Sequence, residues 1–413
     1  MILSFKKLKY VNKHSQTREC VWSCVLLNLF FFVAIADVTS VNLVGGNVRW
    51  AWVALPFLYM LLPKRSEPKA VFFILSMLFC VHLFAASVSD SVAKGFYYSV
   101  WIPINYIFFF RSAYIITAGL RDRVWLAFLW GGRIQILTAI TLVVLGVHER
   151  AQFIYFEPSY MAIGLVPYLF ASLFWSSNKL LDVSLVVALI VFNQSANMMI
   201  AIIVAFIFLL LTSQRLWLSI GLVLLTILCG YVFYQIALND VGNPNHGIAV
   251  WLNENSISLD MMTAIFARAG NRIPRMLAAL EQLNGHWLMG FGPGGYVEYT
   301  ANRNFDHLTE GLDYLDPSGL PVINVLLEAC ANAGILAAIL LICIFLYVLC
   351  MALIKIRNRS ERRVIVGAMF ALGVMLQFES SYLRAYVWLA FGVFVARSLY
   401  QNSESYLPVK VLK

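Results

Sequence analysis

The chain has 413 residues, of which 61% are hydrophobic and only 12% charged, and its mean hydropathy is +0.78. A soluble chain carries about 25% charged residues, so this composition excludes a water-soluble globular enzyme. The net charge of +9 must be read against a membrane before it is taken as a nucleic-acid signal, and the seven cysteines, all in or beside apolar runs, imply neither a disulfide framework nor a metal site.

In chain order, apolar runs predict twelve helical spans, near 21–38, 46–62, 70–89, 96–118, 124–147, 159–175, 180–193, 197–213, 216–238, 321–354, 364–378 and 383–400. The first run is followed by no small-residue cleavage site, so it is expected to stay as a span. Basic residues in short loops resist translocation and set orientation. Of the 30 Lys and Arg, twenty fall on the side of the N-terminus, in Lys6–Arg18 and in the loops holding Lys64, Arg121, Lys179, Arg215, Lys355 to Arg363 and Arg397 onward. Eight fall on the other side, and Arg111 and Arg133 lie within spans. Both termini are therefore expected in the cytoplasm, and the net charge reflects topology with no hint of nucleic acid. The fold class is an all-α polytopic membrane protein, with 1–238 forming spans one to nine, 239–320 a large outer loop, and 321–413 the last three spans and a cytoplasmic tail.

Inside the first nine spans, the polar groups His82, Asn105, Arg111, Arg133, Gln135 and the cluster 193–197 are functional candidates, because ionisable and polar groups are costly in lipid. Arg111 lies near a cytoplasmic end and is expected to snorkel, whereas Arg133 is mid-span. His82 reads as a packed helix–helix contact, and the cluster 193–197 as packing or site lining. In RAQFIYFEPSYMAIG, residues 150–164, Arg150 and Glu157 lie on the outer side, just ahead of a span that Pro158 can start. Glu157 would sit at that helix's positive end or simply face solvent.

The outer loop predicts two amphipathic helices, near 256–269 and 272–284, lying against the membrane face. Arg268, Arg272 and Arg275 are spaced four and three apart, which places them on one helical face, and no acid lies between Met261 and Leu280. The guanidinium fork matches phosphate oxygens and stays charged. Two readings stand: an anionic site, such as a lipid pyrophosphate, or a solvated face touching headgroups. Next comes Gly290–Gly295, GFGPGG, with the G-x-G-x-x-G spacing of a dinucleotide loop. That fingerprint needs a strand before it; here a helix precedes it, and the loop faces a compartment without NAD or ATP. It is expected to be a tight turn that brings the chain back to the membrane, with Tyr296 and Tyr299 as candidate sugar-stacking residues. In 313–334, Asp313 and Asp316 approach the tenth span and Glu328 enters it. A carboxylate desolvated at an interface gains a raised pKa, which suits a general base, though Glu328 could equally pair with an arginine.

In their order, these features resemble the O-antigen polymerase and ligase superfamily of envelope glycosyltransferases, with their GT-C-like arrangement of many spans and one large periplasmic loop. The resemblance rests on Arg150 ahead of Glu157-Pro158-Ser159, the polar stretch Asn193 to Asn197, the spaced loop arginines, Gly290, Gly292 and Gly294, and a Leu326–Ile335 segment re-entering the membrane. It implies transfer of an undecaprenyl-pyrophosphate-linked glycan at the periplasmic face of a bacterial inner membrane, without nucleotide sugar, cofactor or metal. Membrane lipid and a chain-length regulator are the further partners it implies. In such proteins, arginines hold the pyrophosphate, which maps to Arg150, Arg268, Arg272 and Arg275. The base stays open among Glu157, Asp313, Asp316, Glu328 and His307, with Tyr296, Tyr299 and His307 as glycan contacts. Ligases carry His-Asn ahead of Gly-x-x-Gly; here Ile323 precedes Asn324 and Ala337 replaces the last glycine. That departure favours a repeat-unit polymerase over a ligase or a flippase.

Overall fold

The computed structural model describes residues 21–36, 40–43, 46–63, 68–193, 195–212, 271–309, 316–380 and 382–400. The expected helix 256–269, the span 216–238, Arg268 and Asp313 lie outside the described residues. Within them the chain is predominantly helical, and four helices are long and apolar enough to cross a membrane: Lys69–Ser87, Val92–Leu120, Val124–Val144 and Ile335–Lys355. Shorter apolar helices are Val21–Ile35, Asn197–Leu209 and Ala385–Tyr400. Many of their large apolar side chains point outward, among them Phe72, Phe73, Trp130, Ile134, Ile339 and Leu346. A surface of that kind is expected where the solvent is lipid.

The elements used below are α1 (Lys69–Ser87), α2 (Pro158–Gly164), α3 (Lys179–Asn193), α4 (Ala196–Thr212), α5 (Arg272–Gln282), α6 (Val325–Ala333), α7 (Ile335–Lys355), α8 (Arg359–Met375, continued by a 3-10 turn to Phe378) and α9 (Ala385–Tyr400). Helix α9 is the centre of the body: every residue from Ala385 to Ser398 is buried, as for a helix that is apolar all round. It packs against Val92–Leu120 and α7, while α8 packs against Val166–Phe174 and α4. In lipid such contacts are held by close packing and by buried polar bonds. One of these is Asn105 Nδ2 donating to the Leu383 carbonyl at 2.9 Å.

Three expectations are corrected. The run 46–62 is not a continuous helix: Ser40–Leu43 and Gly46–Arg49 form an antiparallel hairpin, with Val41 opposite Val48, before a 3-10 turn and the short helix Leu55–Met60. Pro56 sits in that helix's first turn, where its missing N–H costs nothing. The run 159–175 divides at Leu165 into α2 and Val166–Phe174, the second opening on Pro167. The run 321–354 divides at Gly334, whose φ of 79° and ψ of 178° no L side chain adopts easily. Helix α6 is thus a separate segment, and of the two only α7 is long and apolar enough to cross a membrane.

Candidate functional site

Side chains from four connections meet at one end of the helical body. Helix α5 has Asn271 at its N-cap and Pro274 in its first turn, where the missing N–H costs nothing, and it buries Ala278 and Ala279 while aligning Arg272 and Arg275. Arg272 Nη2 reaches Glu379 Oε1 at 3.1 Å, and Asn197 Nδ2, from the first turn of α4, donates to the same oxygen at 2.9 Å. The same Nη2 lies 3.4 Å from the hydroxyl of Ser159 in the first turn of α2. Arg275 donates to the Pro321 carbonyl through Nε at 2.8 Å and also through Nη2, tying α5 to the segment that enters α6. Arg384, just after Glu379 in the α8–α9 connection, lies 4.0 Å over the Tyr160 ring.

The electrostatics of this cluster are unusual for a surface. Glu379 is nearly buried, its side chain 4% exposed. Burial pushes its carboxyl above the ordinary range, with Arg272 and Arg384 pulling the other way and the negative charge of Glu157 adding to the rise. Burial likewise lowers Arg275, which also feels Arg272, Glu379 and Glu157. So three guanidinium groups and two carboxylates share one site among the described residues. Arg272 Nε is buried and has no hydrogen-bond acceptor among the described residues, and such an orphaned donor calls for an explanation.

Asn193, Ser195 and Asn197 build the floor of this site. Asn193 Nδ2 donates to the carbonyls of Ala151 at 2.6 Å and Pro158 at 3.0 Å, so the end of α3 fixes both sides of the Glu157 loop. Ser195 donates to Asn193 Oδ1 at 2.6 Å and accepts from the Met198 N–H at the start of α4. Packing and site lining, left open by the sequence, are therefore divided between Asn193 and Asn197.

The glycine loop is a docking turn. Gly290, Gly292 and Gly294 all have positive φ, and a Cβ on Gly290 would meet the carbonyls of Cys330 and Ala331 at 2.5 Å. Phe291 N donates to the Ala331 carbonyl at 2.7 Å, and Ile335 N to the Trp287 carbonyl at 2.7 Å. The loop therefore sits on the break between α6 and α7. It follows α5, with no strand before it, and the amides of Gly290, Phe291, Gly294 and Gly295 donate to protein acceptors. Asn332 accepts from Gly294 N at 3.0 Å and donates to the Tyr382 hydroxyl at 2.9 Å, which is 2.9 Å from His82 Nε2. His82 thus ties α1 to the α8–α9 connection, a packing contact between a helix and a loop.

Apart from Glu157, which borders the cluster, the remaining candidates are dispersed. Arg150 is half-buried in the loop that Asn193 holds. Glu157 is half-exposed as the residue preceding α2. Asp316 closes a turn, accepting from Ser318 N at 2.9 Å and from its hydroxyl. Glu328 is in the first turn of α6, and its charge acts on Tyr382. Tyr296 is 3% exposed and edge-on to Phe291. This corrects the expectation of a sugar-stacking ring: Tyr296 belongs to the packing. Tyr299 lies against Phe291 at 4.4 Å and carries Arg303 over its ring at 4.6 Å. His307 is exposed and 2.8 Å from Glu281. Arg133, mid-span, is paired in fork geometry with Asp182 at 2.8 and 2.9 Å, with Tyr168 and Ser176 completing the carboxylate's bonds. It is structural.

Glu379 and Arg384 were missed as site residues from sequence. The signal was present in QFESSYLR, residues 377–384, where an acid and an arginine share a short connection between two apolar runs. Such charges carry functional weight by default. The chain matches no known family model and no curated protein.

Proposed function

We propose that the chain is a polytopic repeat-unit polymerase, with about twelve spans and both termini cytoplasmic. It would transfer a growing glycan from undecaprenyl pyrophosphate to an incoming lipid-linked unit at the periplasmic face of the inner membrane. The observation that supports this most is the convergence of Arg272, Arg275 and Arg384 with Glu157 and Glu379 at the start of α2. All of these residues lie in connections that the charge pattern assigns to the outer side.

In the transfer, the acceptor hydroxyl oxygen attacks the anomeric carbon of the donor sugar. The bond from that carbon to the pyrophosphate oxygen breaks, and its electron pair goes to the pyrophosphate. Preorganised guanidinium groups stabilise the charge that develops there, most effectively where water is excluded. The hydroxyl proton goes to a carboxylate. Of Glu157, Asp316 and Glu328, Glu157 is the one whose charge acts on both Arg275 and Glu379, and its partial exposure leaves it reachable. Direct displacement inverts the anomeric configuration. The replacement of the ligase His-Asn by Ile323-Asn324, with Ile323 buried, favours polymerase over ligase.

The test is a glycan ladder in a strain whose own copy is deleted. Deletion should leave core capped by a single repeat unit, and Arg272→Ala or Arg275→Ala, present in the membrane at normal amount, should not restore long chains. Bare core with accumulated lipid-linked polymer would instead indicate a ligase. A full-length ladder from both variants would sink the pyrophosphate assignment.

A further inference from the structure

The Arg272–Glu379 pair is built differently from a structural ion pair. Arg272 gives Glu379 one nitrogen and leaves its buried Nε–H without an acceptor, while the side chain keeps 24% of its surface exposed. Glu379 leans on Asn197 as well, so its carboxylate keeps a partner if the arginine turns away. The groups facing Glu379 are known from each neighbouring element. They are Arg272 and Arg275 from α5, Ser159 and Tyr160 from α2 with Glu157 just before it, Asn197 from α4, and Arg384 from its own connection. From α6, packed on the same connection, Glu328 acts on Tyr382, and Asn324 donates to Gln377 at 3.0 Å.

Charge balance then limits what can bind. Three arginines and two carboxylates, with every group counted as charged, give the described residues of the site a net charge of one positive unit. A pyrophosphate diester brings two negative charges, one more than these described residues balance, and neutralising one carboxylate restores the balance. The nearly buried one is the costlier to keep ionised without its arginine.

We infer that Glu379 is a stand-in counter-ion: the lipid pyrophosphate displaces it from Arg272, and Glu379 takes up one proton as the anion binds. The released proton acceptor loses the ion pair but keeps the Asn197 hydrogen bond, and Arg272 turns its fork, including the orphaned Nε–H, onto a phosphate oxygen. Product release reverses the step and returns the proton. The proposal rests on the polymerase reading for the identity of the anion, not for the exchange itself.

The test uses the full chain in detergent and farnesyl pyrophosphoryl glucose, whose two phosphates each hold one charge throughout the working pH range. Calorimetry in buffers of differing ionisation enthalpy should read the uptake of about one proton per probe bound. The apparent affinity should fall about tenfold per pH unit over the interval in which Glu379 is ionised in the free protein and neutral in the complex. Glu379→Gln should bind more tightly at the upper end of that interval and lose the pH slope, and Glu157→Gln should keep it. Binding without proton uptake by the native chain overturns the proposal, as does no binding; both are readable even if Glu379→Gln does not fold. Inorganic sulfate is the second arm. If it binds with the same proton uptake and the lipid probe does not compete, the site belongs to free anions, and the lipid assignment fails. Proton-linked binding together with an unchanged ladder after deletion of the chain would sink the polymerase reading and leave the exchange standing. Probe binding without proton uptake, beside a lost ladder, would do the reverse.

Discussion

Two arginine–glutamate pairs close opposite ends of the same two helices, α8 and α9, and they are made to different standards. At one end Arg397 grips Glu361 through both Nε and Nη2, the latter at 2.9 Å, and Trp125 Nε1 adds a bond at 3.1 Å. The two side chains are 5% and 1% exposed. At the other end Arg272 touches Glu379 with one nitrogen, keeps a buried donor unsatisfied, and shares the space with Glu157, Arg275 and Arg384. A buried pair is stable only when its remaining hydrogen-bonding capacity is filled. The first pair meets that condition within the chain. The second does so only partly, and the surplus of guanidinium groups is what a ligand anion would use. The Arg133–Asp182 pair, with two arginine contacts and two hydroxyl donors, falls with the first kind.

The comparison can be broken at either pair. The largest effect is expected from Glu361→Ala, which leaves Arg397 buried without its partner. Removing one member of such a pair costs about 3–5 kcal/mol, so membrane yield and the melting temperature in detergent should both collapse. A normal melting temperature would mean that the complete pair is not structural.

Arg272→Ala should cost less, about 1–2 kcal/mol, because the arginine is partly exposed and Glu379 can take a proton instead. Its signature is pH dependence. Burial raises the Glu379 carboxyl above its usual 4.5 in the folded state, so the folded chain holds that proton more tightly than the unfolded one. The stabilising contribution is complete below 4.5 and is lost as pH rises through the folded value. Without Arg272 to oppose the rise, melting temperature should fall with pH over a wider window than in the native chain, and the double variant with Glu379→Gln should be flat. Parallel profiles for all three would show that the two groups are not coupled.

The smallest effect is expected at Lys94, whose amine meets Glu298 at 2.7 Å between side chains 26% and 53% exposed. Exposed pairs contribute about 0–1 kcal/mol and are screened by salt. Lys94→Ala should leave melting temperature within error in 0.5 M salt; a drop comparable to that of Glu361→Ala would show the outer segment to be held by charge.

Much of this was legible before any coordinates. The helix at 272–282, with Arg272 and Arg275 on one face, follows from periodicity and from Pro274, and both are local properties. The demotion of GFGPGG from nucleotide loop to turn also followed, because the fingerprint needs a strand and a helix stood there. The break at Gly334 was hidden, since the run 321–354 is apolar on both sides of it and a lone glycine in such a run does not announce its φ. The hairpin at Ser40–Arg49 was hidden for a related reason: hydropathy counts apolar residues without separating a strand from a short span.

Composition and charge by themselves determined a helical membrane protein, because burying or immersing this much apolar surface leaves few alternatives and because Lys and Arg in short loops carry a side preference. The charge pattern also carried the expectation that Glu157, Arg272 and Glu379 lie on the outer side, with Asn197 at the outer end of a span. Only the tertiary structure decided that these four connections meet, that Asn193 supports the floor while Asn197 reaches into the site, and that Tyr296 faces the packing and not a ligand. Each of those outcomes depends on contacts between residues far apart in the chain, where spacing and composition say nothing about distance.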